Sequence, residues 1–257
     1  MLQFLAGGKH ARSEDDALAS KVPRVSKPLL VDHVGSGAAG LLHDEAALAA
    51  ALAHLREADP ALAVLISNTS AAELVVQQAP TRHAEFIFLS EWVVRSRASV
   101  KAANTMLQDL KRKTGGVWTP AALLSHEATL RATEIDEHGR KLEIIFDLAR
   151  FCQRGLPDLM AMSDRDILTA GFDSVKGIGK VGILTLLVRM GRPNVLVAGD
   201  GLVNKWLDDT HGIPQDDTKV AAERARFDAT ATWAPYRSVG YLLINAAKGA
   251  TLTSVLA

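Results

Sequence analysis

With one cysteine in 257 residues, Cys152, the chain has no internal disulfide and no site built from several thiolates, neither a multi-cysteine zinc site nor an iron–sulfur cluster. Aromatic residues are only 5% of the chain, which argues against the aromatic and β-branched strands of a sheet protein. Charge of one sign is also missing: 29 Lys and Arg stand against 29 Asp and Glu. A nucleic-acid binder usually carries a basic excess, so such a role would need a local basic face rather than a basic protein. No apolar run reaches membrane-spanning length, and Met1–Ala6 is too short for a signal-peptide core. The expectation is a soluble, intracellular chain, taken as a monomer.

What is present is alanine, leucine and helical spacing. Hydrophobic residues make up 48% of the chain, enough for one large or two modest domains with a real core. Residues 1–40 read as a flexible arm, with charges at Glu14, Asp15 and Asp16 and breaks at Pro23 and Pro28; within it Leu29–Val31 is a short piece able to dock. Residues 41–257 read as a helical domain. Asp44 caps a helix running to Ala58, and Asp59-Pro60 restarts the chain through Ile66. A helical pattern over 84–112 breaks between Arg95 and Ser99, with Ser99 as the next cap. Thr119-Pro120 opens another helix, Lys141–Ala149 is amphipathic, and Leu159–Ala170 carries a start signal at Ser163. Val220–Ala229 is a further helix. No alternating strand and no repeat of 34 or 40 residues stands out, so the chain is all-α and not a solenoid.

The most informative stretch is Phe172–Trp206. Gly177 and Gly179 sit between a segment ending at Val175 and the apolar run Ile183–Val188, which stops at Gly191–Pro193. Two glycines this close make a tight turn between two helices, a hairpin at about 170–190. The second helix then begins with free backbone N–H groups, which attract phosphate, and Lys176 and Lys180 flank them. By itself such a turn is more often plain packing. Asp200 by itself reads as the N-cap of the helix that runs on to Trp206.

Taken in order, Val175–Lys180, an apolar helix, Gly191–Val195 and then Asp200 resemble the helix-hairpin-helix and Gly/Pro-rich-loop-plus-aspartate signature of a superfamily of DNA glycosylases. Within it the 3-methyladenine DNA glycosylase II type is the most similar. Asp59–Ile66 resembles that family's entry helix, and Trp233–Ser238 its Trp-x-Pro-Tyr-Arg-Ser segment at the start of the last core helix. The resemblance covers roughly residues 44–248. It implies an all-α fold with two helical subdomains flanking a DNA-binding cleft, and double-stranded DNA as partner. It implies a catalytic role for Asp200, compatible with the cap. It places Lys176, Gly177, Gly179, Lys180 and Gly182 at a DNA phosphate, the glycines through their amides. It puts Ser96 and Arg97 where family members push a loop into the base stack; Arg97 without the resemblance is a solvated surface arginine. It implies a monovalent cation held by the backbone carbonyls of Asp173, Val175 and Gly177, and no other cofactor.

The departures narrow the chemistry. Bifunctional relatives carry a lysine two positions after the second hairpin glycine, where this chain has Val181. Lys180 is one residue early, about 100° around the helix. The resemblance therefore implies a monofunctional, hydrolytic glycosylase acting on a damaged base, an alkylated purine, flipped out of duplex DNA. Val181 and Asn245 also stand where such enzymes offer aromatic platforms, and Gly182 replaces a threonine; Trp92, Trp118 and Tyr241 are the remaining aromatic candidates. The alternatives are a DNA-binding relative without glycosylase activity and, from a different class, a helical scaffold for protein partners.

Overall fold

The computed structural model describes residues 44–69, 74, 83–96, 98–155, 159–214 and 218–247. The expected arm 1–40, the boundary beside it, the Leu29–Val31 piece and Arg97 lie outside the described residues. Among those described, every regular element is helical, as the spacing predicts, and no helix is long and apolar enough to cross a membrane.

The local chemistry explains where the helices begin. Helix α1 spans Glu45–Ala58, and Asp44 Oδ1 accepts the Ala46 amide at 2.8 Å. Helix α2 spans Pro60–Asn68, capped by Asp59, with Pro60 in the first turn where no intrahelical donor is needed. Then come α3 (Ala84–Arg95), α4 (Val100–Lys113) capped by Ser99, and α5 (Pro120–Ser125) capped by Thr119. The next helical run, α6, covers Glu127–Gln153. It is followed by α7 (Asp164–Leu168) capped by Ser163, a 3-10 turn at Phe172–Ser174, and α8 (Lys180–Arg189). The first limb of the hairpin thus begins at Ser163, the start signal within Leu159–Ala170, where Ser163 Oγ takes the Asp166 amide, and it ends at Leu168. Helices α9 (Gly201–His211), α10 (Lys219–Ala229) and α11 (Arg237–Ala247) complete the fold, with a 3-10 turn at Ala231–Trp233.

Helix α6 is not one straight rod. Arg131 donates to Glu143 Oε2 at 2.8 Å across 12 residues, and Arg150 donates to Glu127 across 23. A straight helix rises about 1.5 Å per residue, so these side chains would stand about 18 and 34 Å apart. Both contacts are met if the run doubles back between Arg131 and Glu143, with the two arms antiparallel.

The helices pack in two groups. Helices α3 to α8 form a central group, in which α6 packs on α5 and α3, and α3 packs on α8. The two ends of the described chain form the other: α1 and α2 pack on α11, and α9 packs on α10 and α11. Trp233 ties this second group together. Its ring is fully buried, and Nε1 donates to Asp59 Oδ2 at 2.9 Å across 174 residues. Asp59 therefore caps α2 with one oxygen and holds Trp233 with the other. One apolar cluster runs through both groups. The chain crosses from the central group to the other through residues 190–200, between α8 and α9.

Candidate active site

That crossing brings the hairpin and Asp200 together. Asp200 is the N-cap of α9: Oδ1 accepts the amides of Leu202 at 2.9 Å and Val203 at 3.2 Å. Its side chain is half-buried, and Oδ2 lies 3.3 Å from the Tyr241 hydroxyl, which donates to it. The preceding residue, Gly199, has φ +97°, and a Cβ built on it would lie 2.8 Å from Val181 Cγ2. Only a residue without a side chain lets the loop approach α8 this closely. Val181, in the first turn of α8, is therefore packed beside the residue next to Asp200.

The start of α8 has the predicted character. Gly179 is its N-cap and offers no side chain to the first amides. The first ladder bond runs from the Ile183 amide to the Gly179 carbonyl, so the amides of Lys180, Val181 and Gly182 precede the ladder. Gly177 (φ +101°) makes the turn, and Gly177 and Gly179 are exposed, as is Lys176. Gly182 is buried instead: its open side faces Trp92, whose Cε3 would lie 3.1 Å from an added Cβ. Lys180 is drawn aside, its ammonium 3.1 Å from Glu223 of α10, which links the two helical groups. The backbone of Asp173, Val175 and Gly177 runs through this same turn. The Val175 carbonyl accepts the Ile178 amide at 3.0 Å, so a cation bound there would share that oxygen.

The loop expected to enter the base stack follows α3. Ser96 is exposed and ends that helix, its amide bonded to the Trp92 carbonyl at 2.9 Å. Trp92 thus joins this loop to Gly182 of the hairpin helix. Lys141 Nζ donates to the Val94 carbonyl at 2.5 Å and closes the end of α3 from the other side.

The Gly/Pro-rich loop is pinned by the segment Trp233–Ser238. Ser238 Oγ donates to the Arg192 carbonyl at 2.6 Å and accepts the Val195 amide at 3.0 Å, and the Ser238 amide donates to the Pro193 carbonyl at 2.9 Å. Arg237 donates to Asn194 Oδ1 at 2.9 Å while its guanidinium stacks 4.2 Å over the Phe227 ring. From the central group Arg192 donates to the Met162 carbonyl at 2.7 Å and stands 3.1 Å from Asp164. Burial pushes the Asp164 carboxyl up, and the Arg192 charge opposes it. The loop that carries Asp200 is therefore fixed from both sides.

Behind Asp200 lies a polar cluster within the apolar interior. Tyr241, Thr185, Arg189, Glu91 and Asn245 are all buried. Thr185 Oγ1 donates to the Val181 carbonyl at 2.8 Å, and Asn245 Nδ2 donates to the Tyr241 carbonyl at 2.9 Å. The Arg189 guanidinium stacks 4.2 Å over Phe88. Burial pulls its pKa down to about 10, Glu91 works against that fall, and the Arg95 cation adds to it. Burial first and the Asp200 charge second push the Tyr241 phenol well above its ordinary range. The residues themselves carry a signal for this cluster: 181, 185 and 189 share one face of α8, and 241 and 245 one face of α11. Of the three aromatic candidates, Trp118 is a core residue, 3% exposed with Nε1 donating to Ser90, and is no platform. Trp92 of α3 is half-buried against Gly182 of the hairpin helix, and Tyr241 is engaged with Asp200.

No protein-family model matches the chain, and no curated protein matches it. Among solved structures it is similar to a DNA-3-methyladenine glycosidase from Bacillus halodurans, with a TM-score of 0.53 and 21% sequence identity, over 77% of this chain and 94% of that one. At that identity the likeness establishes a common fold, an all-α arrangement.

Proposed function

We propose that the protein is a monofunctional DNA glycosylase, which hydrolyses the N-glycosidic bond of a damaged base, an alkylated purine, flipped out of duplex DNA. One observation carries the proposal: a half-buried carboxylate, Asp200, fixed by two backbone amides and set through Gly199 against the first turn of an uncapped hairpin helix. A phosphate at that helix start would hold the strand. A nucleotide swung out beside it would bring its sugar to the carboxylate. As the bond between sugar carbon and base nitrogen breaks, the sugar gains positive charge; the carboxylate stabilises that charge and orients the water that adds to the carbon. Val181 offers no amine where a Schiff-base lysine would stand, and the Lys180 ammonium is paired with Glu223, which supports hydrolysis over strand-cutting chemistry. Ser96, with Arg97 beside it, would fill the gap left in the stack. The carbonyls of Asp173, Val175 and Gly177 would hold a monovalent cation at the phosphate.

The test uses purified protein and methylated duplex DNA. Wild type should release methylated purine, and Asp200→Asn should lower the release rate by at least about a thousandfold while leaving duplex binding intact, because the loss falls on transition-state charge stabilisation. Equal release by the two proteins removes Asp200 from the mechanism. A second reading, a DNA-binding protein without base excision, is favoured by Val181 and by the buried Asn245 in places where alkyl-base enzymes stack aromatics. Duplex binding with no base released from a broad set of lesions would establish that reading instead.

A further inference from the structure

The hydrolytic reading uses the backbone contacts of Asp200 and leaves one contact unassigned, the Tyr241 hydroxyl at 3.3 Å from Oδ2. The two carboxylate oxygens are not equivalent. Oδ1 accepts two amides of α9 and has little capacity left. Oδ2 is the oxygen that remains to face an approaching sugar, and the cap bonds hold it by one end only. The Tyr241 hydroxyl gives the carboxylate a second fixed point, at the oxygen left for the sugar.

We infer that Tyr241 is a positioning residue for Asp200, its phenol holding Oδ2 by one lone pair so that the other stays available to the charge that develops on the sugar. The inference rests on the glycosylase reading above. Three features of the cluster fit the role. Tyr241 is 2% exposed and stands on the last core helix, the same helix whose Ser238 pins the loop carrying Asp200; phenol and carboxylate are thus mounted on one rigid frame. Thr185 of the hairpin helix stands beside the phenol, where it works against the rise of the Tyr241 pKa, and its own hydroxyl proton is committed to the Val181 carbonyl, so the phenol's proton is left to Asp200 Oδ2. A phenol is protonated through the neutral range, and burial beside Asp200 moves it further from ionising, so it acts as a donor and not as an acid. A catalytic group placed by a locked neighbour keeps its productive geometry without reorganising at the moment of reaction.

The experiment compares wild type, Tyr241→Phe and Thr185→Val by single-turnover release of 3-methyladenine and 7-methylguanine from methylated duplex DNA. Duplex affinity and the thermal midpoint are measured on the same preparations. Tyr241→Phe keeps the ring and removes only the hydroxyl. Release should slow by about tenfold, the size of one lost hydrogen bond to a charged group, with duplex Kd unchanged. Thr185→Val, which replaces the polar neighbour of the phenol by an apolar one of the same shape and leaves the phenol present, should slow release less, again with Kd unchanged; it carries the same decision should the phenylalanine variant fail to fold. Unchanged release in both variants, or rate and affinity falling together, overturns the role of Tyr241 and leaves the glycosylase reading standing. If wild type releases no base at all, the glycosylase reading fails first and this role falls with it.

Discussion

Asp200 carries two functions through different atoms, and substitution separates them. Asparagine caps a helix about as well as aspartate, whereas alanine loses the cap at a cost of about 1 kcal/mol. Asp200→Asn should therefore melt with wild type, and Asp200→Ala should melt about 2–4 °C lower, while both are inactive in base release. A thermal melt of the three proteins checks this; if asparagine destabilises as much as alanine, charge rather than cap geometry holds the start of α9. The cap was legible because an aspartate ahead of an apolar helix is a local signal, and the structure has it accept from Leu202 and Val203. The fate of Lys180 was not. Its partner Glu223 lies 43 residues on, and no local pattern distinguishes a lysine turned to a phosphate from one turned to a glutamate. Gly182 was legible as a glycine at a helix start, but its closeness to Trp92 depends on how α3 crosses α8.

At the level of elements, starts were readable and reversals were not. Asp44, Ser99 and Thr119 cap the helices that the sequence assigns to them and Ser163 caps the start it marks, while Asp59 caps the helix that the sequence opens on Pro60, because capping involves residues two or three apart. The doubling back within Glu127–Gln153 carries no proline, and its local signal, Gly139, does not by itself mark a reversal in a helical run; the pairs Arg131–Glu143 and Glu127–Arg150 reveal it. These pairs also give the doubled-back run α6 a pH dependence. Burial pushes the Glu127 carboxyl up, but hydrogen bonds and charges from Arg131 and Arg150 outweigh it and hold it below the usual range. A depressed carboxyl contributes stability that is present above its unfolded pKa and lost as pH falls through the folded value. Glu127→Gln should thus lower stability by about 0.5–1 kcal/mol at pH 7. The difference from wild type should shrink once pH drops below about 4.5. Denaturant titrations of both proteins at pH 7 and pH 3.5 decide it, and a gap that survives at pH 3.5 sinks the assignment. The contact of α3 with α8 has its own test. Valine at 182 would force its branches into the indole of Trp92, a clash worth about 1–3 kcal/mol. Gly182→Val should melt lower and shift tryptophan emission to the red, and an unchanged melt would mean the helices separate freely.

On the scale of the molecule, the chain ends meet around Trp233 and Asp59 while the middle forms its own group, a pairing of distant segments that no local pattern announces. The resemblance over residues 44–248 anticipated two helical subdomains, since it draws on the order of motifs along the whole chain. Composition alone stops at "helical". How tightly the two groups are coupled follows from the core. A single apolar cluster includes Leu186 and Leu187 of the hairpin helix together with Leu243 and Ile244 of the last helix. Separating the groups would open part of that shared cluster to water, at about 25 cal/mol per Å². Polar links add to this at Lys180–Glu223 and at Ser238 with Arg192. The expected behaviour is one cooperative unfolding step. Tryptophan emission can report on it, because Trp92 and Trp118 belong to the central group and Trp206 and Trp233 to the other. In one urea titration, far-UV circular dichroism and tryptophan fluorescence should trace the same curve, and calorimetric and van't Hoff enthalpies should agree. A fluorescence change that splits into two steps would show that the groups unfold separately. The crossing at residues 190–200 would then be a hinge rather than a clamp, and Asp200 would not be held at a fixed position against the hairpin.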